Sequence, residues 1–485
     1  MSELPTGWSY FSLRDLGGLS GGKTPSKANL LFWSSPDVPW VSPKDMKRNL
    51  LEDAEDRISQ LAVDDAGMTL YPAGSVLMVT RSGILQHTFP VALAGTELTV
   101  NQDIKVFRPV EGISPQFAFY LLKSMGGKIL SSCSKDGTTV QSIDSEKLEA
   151  FPFPLPPATE QTRIAAKLDE LLAQVDTLKA RIDGIPALLK RFRQSVLTAA
   201  VSGQLTEEWR GMNPKQRAEQ AINALKAARP AKEQAHTPVF FEELPRIPES
   251  WEWASLGFLV SPDDVLCYGV VQPGPDDPDG VYLIRAGDIN SGCVDTSQLR
   301  KISVNTHNEY RRSQVKGGEI LITVVGAGIG EAAIIPPECA GFNIARAVAK
   351  LPIREISAKY VYLWLSTNLA LSWMKGSSRE VARPTLNLEQ LRALPVPIPA
   401  CGEQTEIVRR VEQLFAFADQ LEARVKAAQI RIDRLTQSIL AKAFRGELVP
   451  QDPNDEPASV LLERIKAQRA AAPKAKRGRR AATLG

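Results

Sequence analysis

The sequence predicts an α+β fold: two similar α/β lobes joined by two long helices that pack as an antiparallel coiled coil, related by a pseudo-twofold internal repeat. Three observations carry this. The chain repeats itself at an offset of 243 residues. A heptad-spaced apolar seam follows each half's β-rich stretch. A proline-rich strap separates the two parts of each half.

The repeat is read directly. Leu4-Pro-Thr-Gly-Trp8 matches Ile247-Pro-Glu-Ser-Trp251, and the run from Gln141 through the strap matches that from Pro384, both at an offset of 243. Residues 160–205 and 403–448 align without a gap, with 17 identities in 46 positions. Chance does not give that, and a period of this length means a duplicated structural unit.

Each lobe, 1–157 and 247–400, mixes short β-rich runs such as Ser75–Thr80 and Glu319–Val324 with turn signals and a few helical patterns, Pro115–Met125 and Ala358–Leu371. The straps, Phe151-Pro-Phe-Pro-Leu-Pro-Pro157 and Leu394-Pro-Val-Pro-Ile-Pro399, have prolines that forbid helix and favour an extended path. Helical spacers 158–205 and 401–448 come next. Their apolar positions are Ile164, Leu168, Leu171, Val175, Leu178 and Ile182 in the first copy. In the second they are Ile407, Val411, Leu414, Ala418, Leu421 and Val425, continuing through Ala428, Ile432, Leu435 and Ile439. The 4-3-4-3 spacing is that of a coiled-coil seam. The alternative is an amphipathic helix packed on its own lobe. Two seams of equal length in one chain favour pairing, since tethering holds them at roughly millimolar effective concentration. Gly184 and Pro186 predict a kink or restart in the first helix. A polar, partly helical linker (206–246) joins the two copies. A C-terminal segment (449–485) ends in a basic tail, Lys474, Lys476, Arg477, Arg479 and Arg480, expected to be disordered.

Composition excludes several classes. The net charge is only +3, with 58 Lys and Arg against 55 Asp and Glu, so no global basicity marks a nucleic-acid binder, although segregated charge could still form a basic surface. Five scattered cysteines and three scattered histidines, without a C-x-x-C pair, predict neither a zinc site nor a disulfide framework, and suit a reducing cytoplasm. No signal peptide opens the chain, and no apolar run spans a bilayer. Gly326-Ala-Gly328-Ile-Gly330 imitates a nucleotide-binding loop, but Glu331-Ala-Ala-Ile-Ile-Pro-Pro337 follows in place of a helix. A glycine turn between two strands is the expectation. No Asn/Asp-Pro-Pro-aromatic motif occurs. A pure coiled-coil scaffold leaves the two lobes unexplained.

If the helices pack antiparallel, a lobe stands at each end of a rod of about 40 residues, or about 60 Å. Two separated sites of opposite polarity suit duplex DNA, which twofold proteins read in half-sites. At this point the motifs resemble a family. The strap leading into Glu160-Gln161 and Glu403-Gln404, the helix ends Gln194-Ser-Val-Leu and Gln437-Ser-Ile-Leu, the following Ser202-Gly203 and Arg445-Gly446, and the lobe openings Pro5-x-x-Trp8 and Pro248-x-x-Trp251 resemble specificity subunits of type I restriction–modification enzymes. Gly184–Pro186 departs from a straight helix.

The resemblance implies that each lobe is a target recognition domain for one half of a bipartite, asymmetric site in double-stranded DNA. It implies that the helices fix the spacing and dock two methyltransferase subunits, that motor-nuclease subunits can join, and that the chain itself is not catalytic. It implies no cofactor on this chain; S-adenosylmethionine belongs to the partner methyltransferase, which modifies adenine N6. Arg and Lys reach guanine edges and Asn and Gln adenine. Turn residues of these types are the candidate readers: Lys44, Arg81, Lys135, Thr139 and Gln141 in the first lobe, and Arg285, Arg346, Arg379 and Arg383 in the second.

Overall fold

The computed structural model describes residues 4–135, 140–230, 244–290, 292–377 and 384–471. Thr139, Arg379, Arg383 and the basic tail lie outside these residues. The chain forms two compact units, 1–183 with 427–485, and 184–426. Each unit therefore takes part of both long helices.

In the first unit a five-stranded sheet runs in the order Gly17–Gly21, Ile104–Pro109, Val76–Val79, Val91–Ala94, Leu50–Leu51. Val76–Val79 is buried throughout because the helix Pro115–Ser124 and the main core cover it. A satellite sheet of Arg57–Ile58, Val38–Val41 and Thr99–Val100 carries its own small core around Phe32, Trp40 and Ile58. In the second unit the strand Ile320–Thr323 takes the central place, antiparallel to Val348–Leu351 on one side and Ala332–Ile334 on the other. Gly326 and Gly330, at φ +94° and +89°, make the expected glycine turn between Ile320–Thr323 and Ala332–Ile334. Only glycine adopts that backbone without strain.

The long helices are Ala158–Val201 and Cys401–Ala443. The expected restart at Gly184–Pro186 does not occur: Pro186 lies inside one continuous element. Proline removes one backbone donor, and the turns on either side hold the helix through it. In the first unit Lys179 pairs with Asp433 at 3.1 Å and Gln429 with Asp183 at 2.7 Å. One number rises by four as the other falls by four, so the segments are antiparallel. In the second unit Arg193, near the end of the first helix, pairs with Asp419 and Glu422 in the first half of the second.

Among the described residues, further helices follow each long helix: Glu207–Met212 and Ala218–Ala227 after the first, and Ala458–Ala471 after the second. Ala221, Ile222 and Leu225 join the core of the second lobe, and Ala458, Leu461 and Ile465 that of the first. Among the described residues no helix is long and apolar enough to cross a membrane.

Candidate nucleic-acid interface

Each lobe is fixed to its long helix by the same buried set. Trp8 Nε1 donates to Glu160 Oε2 at 3.0 Å, and Trp251 Nε1 to Glu403 Oε2 at 2.8 Å. Gln161 Nε2 donates to the Pro156 carbonyl at 3.2 Å, and its Oε1 accepts the Ser114 amide at 3.3 Å. Gln404 repeats both with Pro399 at 3.0 Å and Ser357 at 2.9 Å. Ser114 and Ser357 are the N-caps of the lobe helices Pro115–Ser124 and Ala358–Leu365. The chemistry explains the Glu-Gln of the motif. Pro156 and Pro399 lie just past the paired strap residues, so their carbonyls lack a ladder donor, and the glutamine side chain satisfies each while holding the lobe helix. The strap pairs with the lobe's opening strand in both copies, Phe153–Leu155 with Ser9–Phe11 and Pro395–Ile398 with Glu252–Ser255.

The copies differ at one atom. Glu403 Oε1 accepts from Thr206 Oγ1 at 2.7 Å and Arg210 Nη1 at 2.6 Å. Glu160 Oε1 is buried without a hydrogen-bond partner among the described residues. Burial pushes the Glu160 carboxyl above the usual carboxylate range, with Asp455 adding to the shift and Trp8 and Arg163 opposing it.

On each lobe an irregular edge is built on the end of the central strand. In the first, the Ile143 amide donates to the Thr80 carbonyl at 2.8 Å, Ser82 to Gln141 at 3.0 Å, and Lys135 to Ser142 at 2.9 Å. This brings Arg81, Lys135 and Gln141 together. Arg81 and Lys135 are exposed and make no ion pair with described residues. The second lobe repeats the edge: Leu386 donates to Val324 and Gly326 to Pro384, both at 2.9 Å. There Val325 bridges Thr385, where the first lobe has Arg81 bridging Ser142. Arg346 is exposed beside this edge, because Val324 donates to the carbonyl of the next residue, Ala347. The matching bond in the first lobe is Thr80 to Asp103, which places exposed Gln102 where Arg346 stands. Gln102 was missed by sequence reasoning. Its signal was a one-residue slip of the repeat, since this correspondence runs at an offset of 244 rather than 243.

Lys44 and Arg285 are engaged otherwise. Lys44 reaches Glu55 at 3.1 Å and Asp56 at 3.0 Å, and these bonds, Asp56 first, raise its pKa. Arg285 forks onto Asp288 at 3.1 and 3.0 Å, which raises its pKa, and also meets the Gln298 carbonyl at 3.2 Å.

Along the helices Ile164, Leu168, Val175, Ile407, Val411, Ala418, Val425, Ile432 and Ile439 are buried, while Leu414, Leu421 and Ile182 are half-buried. Two expected seam positions are corrected: Leu178 is 48% exposed and Leu435 is 47% exposed. Leu171 is half-buried like Leu414, Leu421 and Ile182, and packs against the first unit's core. Beside Leu171 a second face of the helix is covered, the one that carries Leu172. Tyr120 on the lobe helix donates to Asp169 at 2.5 Å, drawing the Asp169–Leu172 side of the long helix under the lobe.

The family described as type I restriction modification DNA specificity domain matches residues 5–187 and 276–430. The chain is 45% identical over 350 residues to the type I restriction enzyme EcoBI specificity subunit of Escherichia coli, covering 70% of this chain and 69% of that one. It is 31% identical over 478 residues to the EcoDI specificity subunit of Escherichia coli, covering 97% of both chains. A solved structure concerning complex assembly and conformational transition of the type I R-M system shares the fold, with a TM-score of 0.61 at 17% identity over 92% of this chain and all of that one. With the sequence matches spanning both copies of the repeat, the chain belongs to the family of type I restriction–modification DNA specificity subunits.

Proposed function

We propose that each lobe reads one half of a bipartite, asymmetric site in double-stranded DNA and that this chain performs no chemistry of its own. The observation that carries the reading is a contrast. The two lobes share the Trp–Glu–Gln root and the strap pairing, yet differ where the edge projects: Arg81, Gln102 and Gln141 in one, Val325, Arg346 and Pro384 in the other. A common frame with divergent polar edges suits two readers of different base sequences. The long helices set the spacing between half-sites and dock two methyltransferase subunits, which bring S-adenosylmethionine and methylate adenine N6. Motor-nuclease subunits join the same assembly for restriction.

The test replaces residues 247–399 with the matching lobe of a relative and sequences the methylome of cells that also carry the partner methyltransferase. One half of the methylated site is expected to change and the other to stay. A change in both halves, or in neither, overturns the assignment. Methyl transfer to DNA by the purified chain alone would overturn the non-catalytic role.

A further inference from the structure

The segment after each long helix carries an arginine that grips a lobe. Arg229 Nη2 donates to the Phe258 and Val260 carbonyls, each at 2.6 Å. Arg469 donates to the Arg14 carbonyl through Nη1 and to the Gly17 carbonyl through Nη2, the latter at 3.1 Å. The accepting groups belong in both lobes to a short helix and the residue or two after it, Leu13–Leu16 and Leu256–Leu259. Such carbonyls lack intrahelical donors, and a guanidinium is suited to take two at once.

The match is systematic. The Ala218 amide donates to the Ser250 carbonyl and the Ala458 amide to the Gly7 carbonyl, both at 2.8 Å. Ala218, Ala221 and Leu225 correspond to Ala458, Leu461 and Ile465 in position and burial. Arg229 and Arg469 follow at the same offset of 240. Each segment is also tied to the root of the long helix beneath its lobe. In the first unit Asp455 binds Arg163 and Thr159, and in the second Arg210 binds Glu403 while Arg410 donates to the Leu205 carbonyl at 2.7 Å. One end of the segment holds helix and the other holds lobe.

From the gripped helix the backbone runs straight into the sheet that carries the candidate edge. Gly17 opens the strand paired with Ile104–Pro109, which pairs with Val76–Val79 and so leads to Arg81. Val260 bridges Ile353, just past the strand Val348–Leu351 that pairs with Ile320–Thr323 and leads to Val325.

We propose that Arg469 and Arg229 are positioning residues for half-site recognition, so that the C-terminal helix governs the half read by the N-terminal lobe and Ala218–Ala227 the half read by the second. This rests on the half-site reading proposed above. Base readout by hydrogen bonds is discriminating only if the reading edge is held in place, so a loosened lobe loses selectivity in its own half.

The experiment uses the full chain assembled with its partner methyltransferase. It measures methyl transfer to duplexes carrying the cognate site or one base-pair change in either half, with the halves assigned by the lobe replacement. Arg469→Ala is expected to raise transfer to duplexes altered in the first lobe's half by about tenfold relative to cognate, on the scale of one mismatch, and to leave discrimination in the other half unchanged. Arg229→Ala is expected to do the reverse. Arg469→Lys, which keeps the charge without the fork, is expected to show the same half-selective change in smaller measure, and is the variant to read if Arg469→Ala does not assemble. A general loss of folding would lower transfer to all duplexes together, so equal effects on both halves, or none on either, overturn the proposal. A wild-type complex that showed no two-part target would instead overturn the half-site reading beneath it.

Discussion

Glu160 and Glu403 occupy the same buried place 243 residues apart, and they are not equally served. Glu403 has donors from Trp251, Thr206 and Arg210, whereas among the described residues Glu160 has only Trp8, because Val449 and Pro453 stand where the repeat puts Thr206 and Arg210. Val449→Thr is expected to add a hydroxyl donor to the orphaned oxygen and to stabilise the first unit by about 1 kcal/mol, while Thr206→Val costs the second unit about 1–3 kcal/mol. Urea unfolding followed separately for each unit checks both. The gain depends on pH with a definite sign. Burial first, and Asp455 second, raise the Glu160 carboxyl, so its contribution to stability is fully present below the unfolded value and is lost as pH rises through the folded value. A hydroxyl donor favours the carboxylate, so the Val449→Thr gain is expected to grow above the folded value and to shrink in acid. A uniform gain at all pH would mean that the hydroxyl acts elsewhere. The Glu-Gln pair was legible as a motif; its role was not, because nothing in the linear sequence shows which strap carbonyl needs a donor.

At the scale of elements, spacing located both long helices but misplaced part of the seam. Counting 4-3-4 assumes one covered face, whereas the lobe helix Pro115–Ser124 covers a second and buries Leu172. Leu168→Asp, at a fully buried position, is expected to cost about 3–5 kcal/mol, and Leu178→Asp, at a position 48% exposed, within about 0.5 kcal/mol. Equal costs in denaturant unfolding would restore the simple heptad seam. The helix Ala458–Ala471 stayed hidden for another reason. The repeat slips from an offset of 243 to 240 between the end of the long helix and this element, so a gapless alignment stops short of it. What survives is sparse: an alanine that starts each helix, three apolar positions and the terminal arginine. These carry meaning only once the lobe surface that receives them is known. The candidate readers were legible by residue type alone, and type could not tell Arg81, exposed at an edge without an ion pair among the described residues, from Arg285, bound to Asp288.

At the scale of the whole molecule, the sequence repeat and the folded unit have the same length and different phase. The repeat runs lobe, then helix. The compact units break at Asp183 and Lys426, inside the two long helices and 243 residues apart. Each unit is therefore assembled from pieces distant in sequence. The first unit's core takes Ile432, Ile439, Leu440, Phe444, Leu461 and Ile465 from the C-terminal part, and the second's takes Val196, Leu197, Val201, Ile222 and Leu225 from the N-terminal part. A single cut between residues 231 and 243 would then divide the chain without removing either unit from the other fragment's reach. Those eleven large apolar side chains are buried against residues on the opposite side of the cut. At about 1.5–3 kcal/mol each, they outweigh the roughly 4–15 kcal/mol lost when two bodies associate. A protease site placed in 231–243 and cleaved to completion is expected to leave one species on size-exclusion chromatography, its two fragments separating only in denaturant. The nicked chain, assembled with its partner methyltransferase, should methylate the same site as the intact one. Fragments that separate in native buffer would show that the continuous backbone, rather than this exchange of buried pieces, holds the two fragments together.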